Sequence, residues 1–208
     1  LYGRAEDAHI RAERVDATWP ARMSFDLVVG SERRHVQTRL VGTLLLPSVL
    51  AALAVVHALG LDMEAAVARL ATINPFSRRL SVKAGESGHT FVLDNYKASY
   101  WSTLALVEDI EHWGPARRIF VLGEMSDIRH ESSRRYRQVM RSLSERAALV
   151  IGIGRAETAA RKVNLPNVVP AATVRDIAEI LSHEPPSVVI LKSNRTVPLG
   201  SLVPGVAG

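Results

Sequence analysis

Four short apolar runs dominate the second half of the chain: Arg118 to Leu122, Leu149 to Ile153, Val168-Val169 and Val188 to Leu191. They are continuous rather than alternating, which is the pattern of strands buried on both faces. Between them lie stretches with helical spacing, over Ser132 to Arg146, Glu157 to Val163 and Thr173 to His183. Strand and helix in regular alternation imply an α/β, doubly wound domain with a mostly parallel sheet, from about residue 76 to 208. Such sheets bind ligands beyond the carboxyl ends of their strands. That rule directs attention to Asp94-Asn95-Tyr96-Lys97, Gly123-Glu124, Gly152, Gly154 and Lys192 through Arg195.

The first part reads differently. Residues 1 to 24 are mixed and carry no clear period. Phe25 to Val29, the turn Gly30-Ser31-Glu32 and the alternating His35 to Leu40 predict a β-hairpin, which Gly42 ends. Leu45 to Leu59 is rich in alanine and leucine on all sides and predicts a buried helix, with Gly60 at its C-terminal cap. Asp62 is the expected N-cap of a second helix over Met63 to Ala71. Asn74-Pro75 breaks the pattern, because proline disfavours helix at the residue before it. A domain boundary is expected there, giving domains 1–75 and 76–208. Leu80 to Val82, a Gly85-Glu86-Ser87-Gly88 turn and Thr90 to Leu93 predict a second hairpin. Thr103 to His112 predicts a helix with Ser102 as its N-cap.

Several chemistries are excluded. With no cysteine there is no disulfide, thiolate metal site or cysteine nucleophile. No apolar run reaches the roughly 20 residues of a membrane span; Leu44 to Leu61 is broken by Pro47, Ser48, His57 and Gly60. No secretory signal is read at Leu1-Tyr2-Gly3-Arg4, and a cytoplasmic location is expected. The start without methionine suggests a piece of a longer protein. The histidines at 9, 35, 57, 89, 112, 130 and 183 have no metal-ligand spacing, so no metal site is expected. No serine sits in a nucleophile elbow, and no Gly-Lys-Ser or Gly-Lys-Thr phosphate loop occurs. Gly152-Ile153-Gly154-Arg155 begins like a dinucleotide fingerprint, but Glu157 stands where its third glycine belongs, so a plain strand-to-helix turn is expected.

Net charge is +5 and the sequence pI is about 10.0. The excess concentrates in Arg134, Arg135, Arg137, Arg141 and Arg146, with Tyr136 the one aromatic among them. A solvated helix face fits this better than nucleic acid, and a small anion such as a nucleotide fits it equally well. Two loops stay open to two readings. Asp94 through Ser102 is either a capping loop or a ligand-binding one. Lys192-Ser193-Asn194-Arg195 is either a solvated turn or a grip on a carboxylate or phosphate.

Taken together, these stretches resemble the Mur ligase family, and within it the MurF-like branch that adds D-alanyl-D-alanine. Leu122-Gly123-Glu124-Met125, then Glu131-Ser132, is similar to that branch's Leu-Gly-Asp-Met and Glu-Ser. Arg79-Leu80 lies at its Gly-Arg-Leu. Asp94 to Ser102 lies on its Asp-Ser-Tyr-Asn-Ala-Asn-Pro-Asp-Ser, and Lys192 to Arg195 on its Lys-Gly-Ser-Arg. Gly42 to Pro75 resembles the end of the ATPase domain. The resemblance implies a Rossmann-like C-terminal domain preceded by a partial α/β remnant of the central domain. It implies an ATP-dependent ligase that forms an amide through an acyl phosphate, with ATP and magnesium held by the missing N-terminal and phosphate-loop domains. It assigns Arg79 and Asp94 to the nucleotide, and Lys97, Ser99, Asn194 and Arg195 to the incoming amino acid or peptide. It assigns no catalytic residue.

The chain also departs from that branch. Leu44-Leu45 replaces a His-Asn pair, and Ser48 an asparagine that meets adenine. Lys97 and Ser99 replace asparagines, Tyr100-Trp101 a Pro-Asp pair, and Ser193 a glycine. These changes point to an amine other than D-alanyl-D-alanine. Their alternative implication is a binding or regulatory module that keeps the fold without turnover.

Overall fold

The computed structural model describes residues 1–85, 88–114, 116–128 and 132–206. The chain forms two compact units, Leu1–Pro75 with His112–Gly114, and Phe76–Glu111 with Pro115–Gly208.

The first unit holds a four-stranded sheet of β1 (Tyr2–Gly3), β2 (Ile10–Asp16), β3 (Ser24–Val29) and β4 (Glu32–Gln37), in that spatial order. β1 runs parallel to β2, and the other neighbours are antiparallel. The hairpin expected after Phe25 is therefore present as β3 and β4. Residues 1 to 24, which carried no clear period, supply the two remaining strands. In β2 Ile10 and Ala12 are buried and Val15 packs partly buried against the same core, while Arg11 and Glu13 pair with each other. Three apolar residues among four charged ones, out of strict alternation, are a weak strand signal.

Two helices, α1 (Leu46–Ala58) and α2 (Met63–Leu70), belong to this unit. The expectation of a helix buried all round is corrected. α1 buries Leu46, Val49, Leu50 and Leu53 against Met23, Phe25, Leu27 and Val36, while Val55 and Leu59 are exposed. The i, i+3, i+4, i+7 spacing of the buried residues is one helical face, and a single sheet can cover only one face. Gly60 closes the helix at φ +64°, donating its N–H to the carbonyl of His57. Asp62 caps α2, accepting from the N–H of Ala65 at 3.1 Å.

The second unit holds a six-stranded sheet. Its strands are β5 (Ser81–Ala84), β6 (Thr90–Asp94), β7 (Arg118–Leu122), β8 (Leu149–Ile153), β9 (Val168–Ala171) and β10 (Val188–Lys192). The spatial order is β5-β6-β10-β7-β8-β9, and only the edge strand β5 is antiparallel. Every residue of β8 and β10 is buried, so both faces of the sheet are covered, as continuous apolar runs require. The helices are α3 (Tyr100–Asp109), α4 (Ser132–Ser144), α5 (Arg155–Val163) and α6 (Val174–Ser182). The last strand in sequence inserts between β6 and β7. Its carboxyl end therefore lies beside Asp94 on one side and Leu122 on the other.

Two element boundaries are corrected. α3 begins at Tyr100, and Ser99 rather than Ser102 is its N-cap. The Ser99 backbone is extended and its hydroxyl accepts from the N–H of Ser102 at 3.2 Å, while Tyr100 is buried and so belongs to the helix. α4 ends at Ser144, which leaves Arg146 beyond it. The Glu86-Ser87 turn, His130, and Glu131 of the Glu131-Ser132 pair lie outside the described residues.

Candidate functional site

The carboxyl edge of β6, β10 and β7 is where the polar side chains of the second unit gather. Lys192 and Asp94 are register partners on β10 and β6. The Lys192 ammonium lies 2.5 Å from Asp94 Oδ2, and also reaches the carbonyl of Lys97 at 3.5 Å. Both residues are almost wholly buried, at 1% and 5% exposure. A buried charge is costly unless paired, so each holds the other in place, and together they anchor the loop that follows β6. Asp94, expected to touch a nucleotide, is thus placed beneath the surface with one oxygen engaged by Lys192.

That loop collects further basic residues. The Arg78 guanidinium donates to the carbonyl of Asn95 at 3.0 Å. Arg79 and Arg195 each lie over the Tyr96 ring, 4.9 Å from its centroid. Among the described residues neither arginine has a carboxylate partner. Arg79 is flanked by Arg78 at φ +64° and Leu80 at φ +51°, left-handed positions that cost a side chain about 1–2 kcal/mol each. Arg78 stands where the resembling family has glycine, which takes this conformation without strain. The Asn95 side chain is fully buried, and neither its oxygen nor its nitrogen has a partner among the described residues.

The other candidates divide. Lys97 is exposed, 3.5 Å from Asp127. The Ser99 hydroxyl is occupied in capping α3 and donates to Ser102 Oγ at 2.9 Å. Asn194 closes a local turn, its Oδ1 accepting from the N–H of Thr196 at 2.9 Å, and its own N–H donates to the carbonyl of Glu124. The structure therefore brings Arg79 and Arg195 to one ring, while Ser99 and Asn194 serve their own loops.

Glu124 has a role that sequence reasoning missed. Its Oε1 accepts from the N–H of Arg155 at 2.8 Å, at the start of α5, and its Oε2 lies 3.5 Å from the Arg155 guanidinium. Gly154, at φ +66°, lets the turn approach: a Cβ there would stand 2.7 Å from the carboxylate. A carboxylate thus takes the place at a helix N-terminus that a phosphate would need in a dinucleotide fold. Capping across 31 residues leaves no local trace in sequence. Tyr136 supports the same joint: its hydroxyl accepts from the N–H of Met125 at 2.6 Å, and burial pushes its pKa up to about 12. Glu124, Asp127, Arg155, Asn194 and Thr196 line an open cleft of about 580 Å³.

In the first unit, Leu45 starts α1 with no side-chain hydrogen bond at its cap. Leu45 and Ser48 line a small, mainly apolar cavity of about 200 Å³ with Val49, Ala52, Leu70 and Ile73. Among the described residues no three histidine, aspartate or glutamate side chains gather as a metal cradle. No described helix is long and apolar enough to cross a membrane.

The sequence of residues 78–195 matches the family model described as "Mur ligase, glutamate ligase domain". The chain belongs to the Mur ligase family. Solved structures of Mur ligases share its fold. MurF from Acinetobacter baumannii superposes with a TM-score of 0.82 at 20% identity, over 97% of this chain and 45% of that one. The MurF ligase of Thermotoga maritima, solved in complex with ADP, gives 0.80 at 17% identity over 97% and 46%. A pseudomurein peptide ligase type C from Methanothermus fervidus gives 0.70 at 17% identity over 93% and 41%. This Mur ligase chain thus spans under half the length of these structures. The match is to the C-terminal domain and part of the central domain of a MurF-like ligase. No curated protein matches the sequence.

Proposed function

We propose that this chain is the end of the ATPase domain, residues 1–75, and the closing C-terminal domain, residues 76–208, of an ATP-dependent ligase that joins a carboxylate to an amine. The carrying observation is the pair of arginines, Arg79 and Arg195, gathered on Tyr96 at the carboxyl edge of a Mur-ligase sheet, neither with a carboxylate partner among the described residues. Guanidinium groups suit phosphoryl charge. ATP would supply the phosphoryl group and magnesium would offset its charge, both held by the preceding domains of a longer parent. A substrate carboxylate oxygen bonds to the terminal phosphorus as the bond to ADP breaks. The amine nitrogen then attacks the acyl carbon, phosphate leaves, and the nitrogen gives up a proton. Arg79 faces the nucleotide, and Asp94 acts by fixing the loop beneath it. Lys97, Ser99, Asn194 and Arg195 border the incoming amino acid or peptide. Closure of the domain keeps water from the activated acyl group.

The test is ADP release by the intact gene product across a panel of amino acids and dipeptides. Release that depends on one class of amine supports the ligase. Carboxylate substrate labelled with ¹⁸O then yields labelled phosphate, and unlabelled phosphate contradicts the acyl phosphate.

A second reading is a binding or regulatory module without turnover. The apolar cavity at Leu45 and Ser48 favours it, since that lining offers adenine little hydrogen bonding. ATP that binds the intact product and is not consumed with any amine would select this reading.

A further inference from the structure

The 13 residues of α4 include four arginines, Arg134, Arg135, Arg137 and Arg141, and no acid. The helix buries Tyr136, Val139, Met140 and Leu143, which leaves its other sides to the arginines. Arg134, Gln138 and Arg141 are exposed. They stand at i, i+4 and i+7, which makes one stripe about 10 Å long. Arg117, Arg146 and Arg161 of the same unit each meet a carboxylate, from Glu184, Glu111 and Glu157. Among the described residues none of the four arginines of α4 does so.

An exposed aromatic adjoins this stripe. Tyr100, at the start of α3, links the two helices. The Arg135 guanidinium lies over its ring, 5.0 Å from the centroid, and its hydroxyl donates to Gln138 Oε1 at 2.9 Å. Trp101, the next residue of α3, meets the Tyr100 ring edge to face with centroids 5.2 Å apart, and is 73% exposed. Trp101, Tyr100, Arg135 and Gln138 are thus contiguous, and Arg134 and Arg141 extend the surface by about one turn on either side of Gln138.

We propose that this surface docks an acidic segment of a partner protein, whose carboxylates pair with the α4 arginines while an apolar side chain covers Trp101. The guanidinium fork matches a carboxylate with two parallel hydrogen bonds. Tryptophan and arginine are the side chains that most often carry the energy of a protein interface. The helix also bears costs that carboxylates would offset. Arg137 and Arg141 are a like-charged i, i+4 pair, and Arg134 and Arg135 stand in the first turn, where a cation opposes the helix dipole. Nucleic acid fits less well. Stacking of successive bases needs successive free rings, and of the two rings here only Trp101 is exposed, Tyr100 being buried beneath Arg135. The proposal does not depend on the ligase reading.

The test is anisotropy of a fluorescein-labelled oligo-glutamate peptide with one central leucine, titrated with the 208-residue chain, beside labelled single-stranded DNA of equal charge. Saturable peptide binding that weakens with added salt is expected. Arg134→Gln and Arg141→Gln each weaken it about 2- to 5-fold, the worth of one exposed ion pair. Trp101→Ala weakens it at least about fivefold, as loss of an interface anchor does, and Trp101→Phe less. Lys162→Gln, which removes an exposed cation from α5, leaves binding unchanged. Melting curves establish that each variant is folded, and Trp101→Phe decides if Trp101→Ala is not. No peptide binding by the wild-type chain, losses at α4 and Trp101 no larger than at Lys162, or DNA binding as tight as peptide binding would overturn the proposal.

Discussion

Lys192 and Asp94, 98 residues apart in sequence, meet ammonium to carboxylate at 2.5 Å between adjacent strands, both nearly sealed from water. Removing one member leaves an unpaired buried charge, at a cost of about 3–5 kcal/mol. Lys192→Met should lower the free energy of unfolding by that order in urea denaturation. The double variant Lys192→Met, Asp94→Leu should recover most of the loss, because it buries no charge. Equal stability of the single variant and wild type would show that the pair is not closed in solution.

Tyr136 gives a second prediction. Its hydroxyl is the partner of the buried Met125 N–H. Tyr136→Phe leaves that donor unsatisfied and should cost about 1–3 kcal/mol. The same residue sets an alkaline limit. Burial raises its pKa from 10.0 to about 12, so the folded state holds a proton that the unfolded state releases first. The associated stability is complete below pH 10 and is lost as pH rises towards 12. Melting curves between these values should fall more steeply for wild type than for Tyr136→Phe.

Asp176 works in the opposite direction. It forms a reciprocal capping box with Thr173 at the start of α6. Hydrogen bonds from the Thr173 side chain and then its backbone hold the carboxyl below the ordinary value of 3.8. A depressed folded pKa gives stability that is present above 3.8 and lost as pH falls through the lower folded value. Asp176→Ala should therefore melt below wild type at pH 7, and the gap should narrow below pH 3.8. Thr173→Ala should cost about 1 kcal/mol at neutral pH, as loss of an N-cap does.

The parallel strands were legible because burial on both faces leaves continuous apolar runs, as at Val188 to Leu191. Caps with their own chemistry, Gly60 and Asp62, were legible for the same local reason. β2 was not, because four of its seven residues are charged, most of them paired along the strand or across the sheet. Ser99 and Ser102 offer the same hydroxyl three residues apart, and only the burial of Tyr100 decides between them. The site was legible as a set of loops at a sheet edge. Which side chains meet there was not, since insertion of β10 between β6 and β7 is a long-range fact. That insertion makes Asp94 the partner of Lys192, and it delivers Arg195 to Tyr96.

In the proposed function this chain closes over a triphosphate held by other domains of the same ligase. The most direct measurement is ADP formation, with ATP, magnesium and a reactive amine and carboxylate, by the 208-residue chain alone and by the intact gene product. The expected result is turnover by the intact product, depressed by Arg79→Gln, and none by the chain alone. ATP turnover by the isolated chain, or an intact product indifferent to Arg79→Gln, would contradict it.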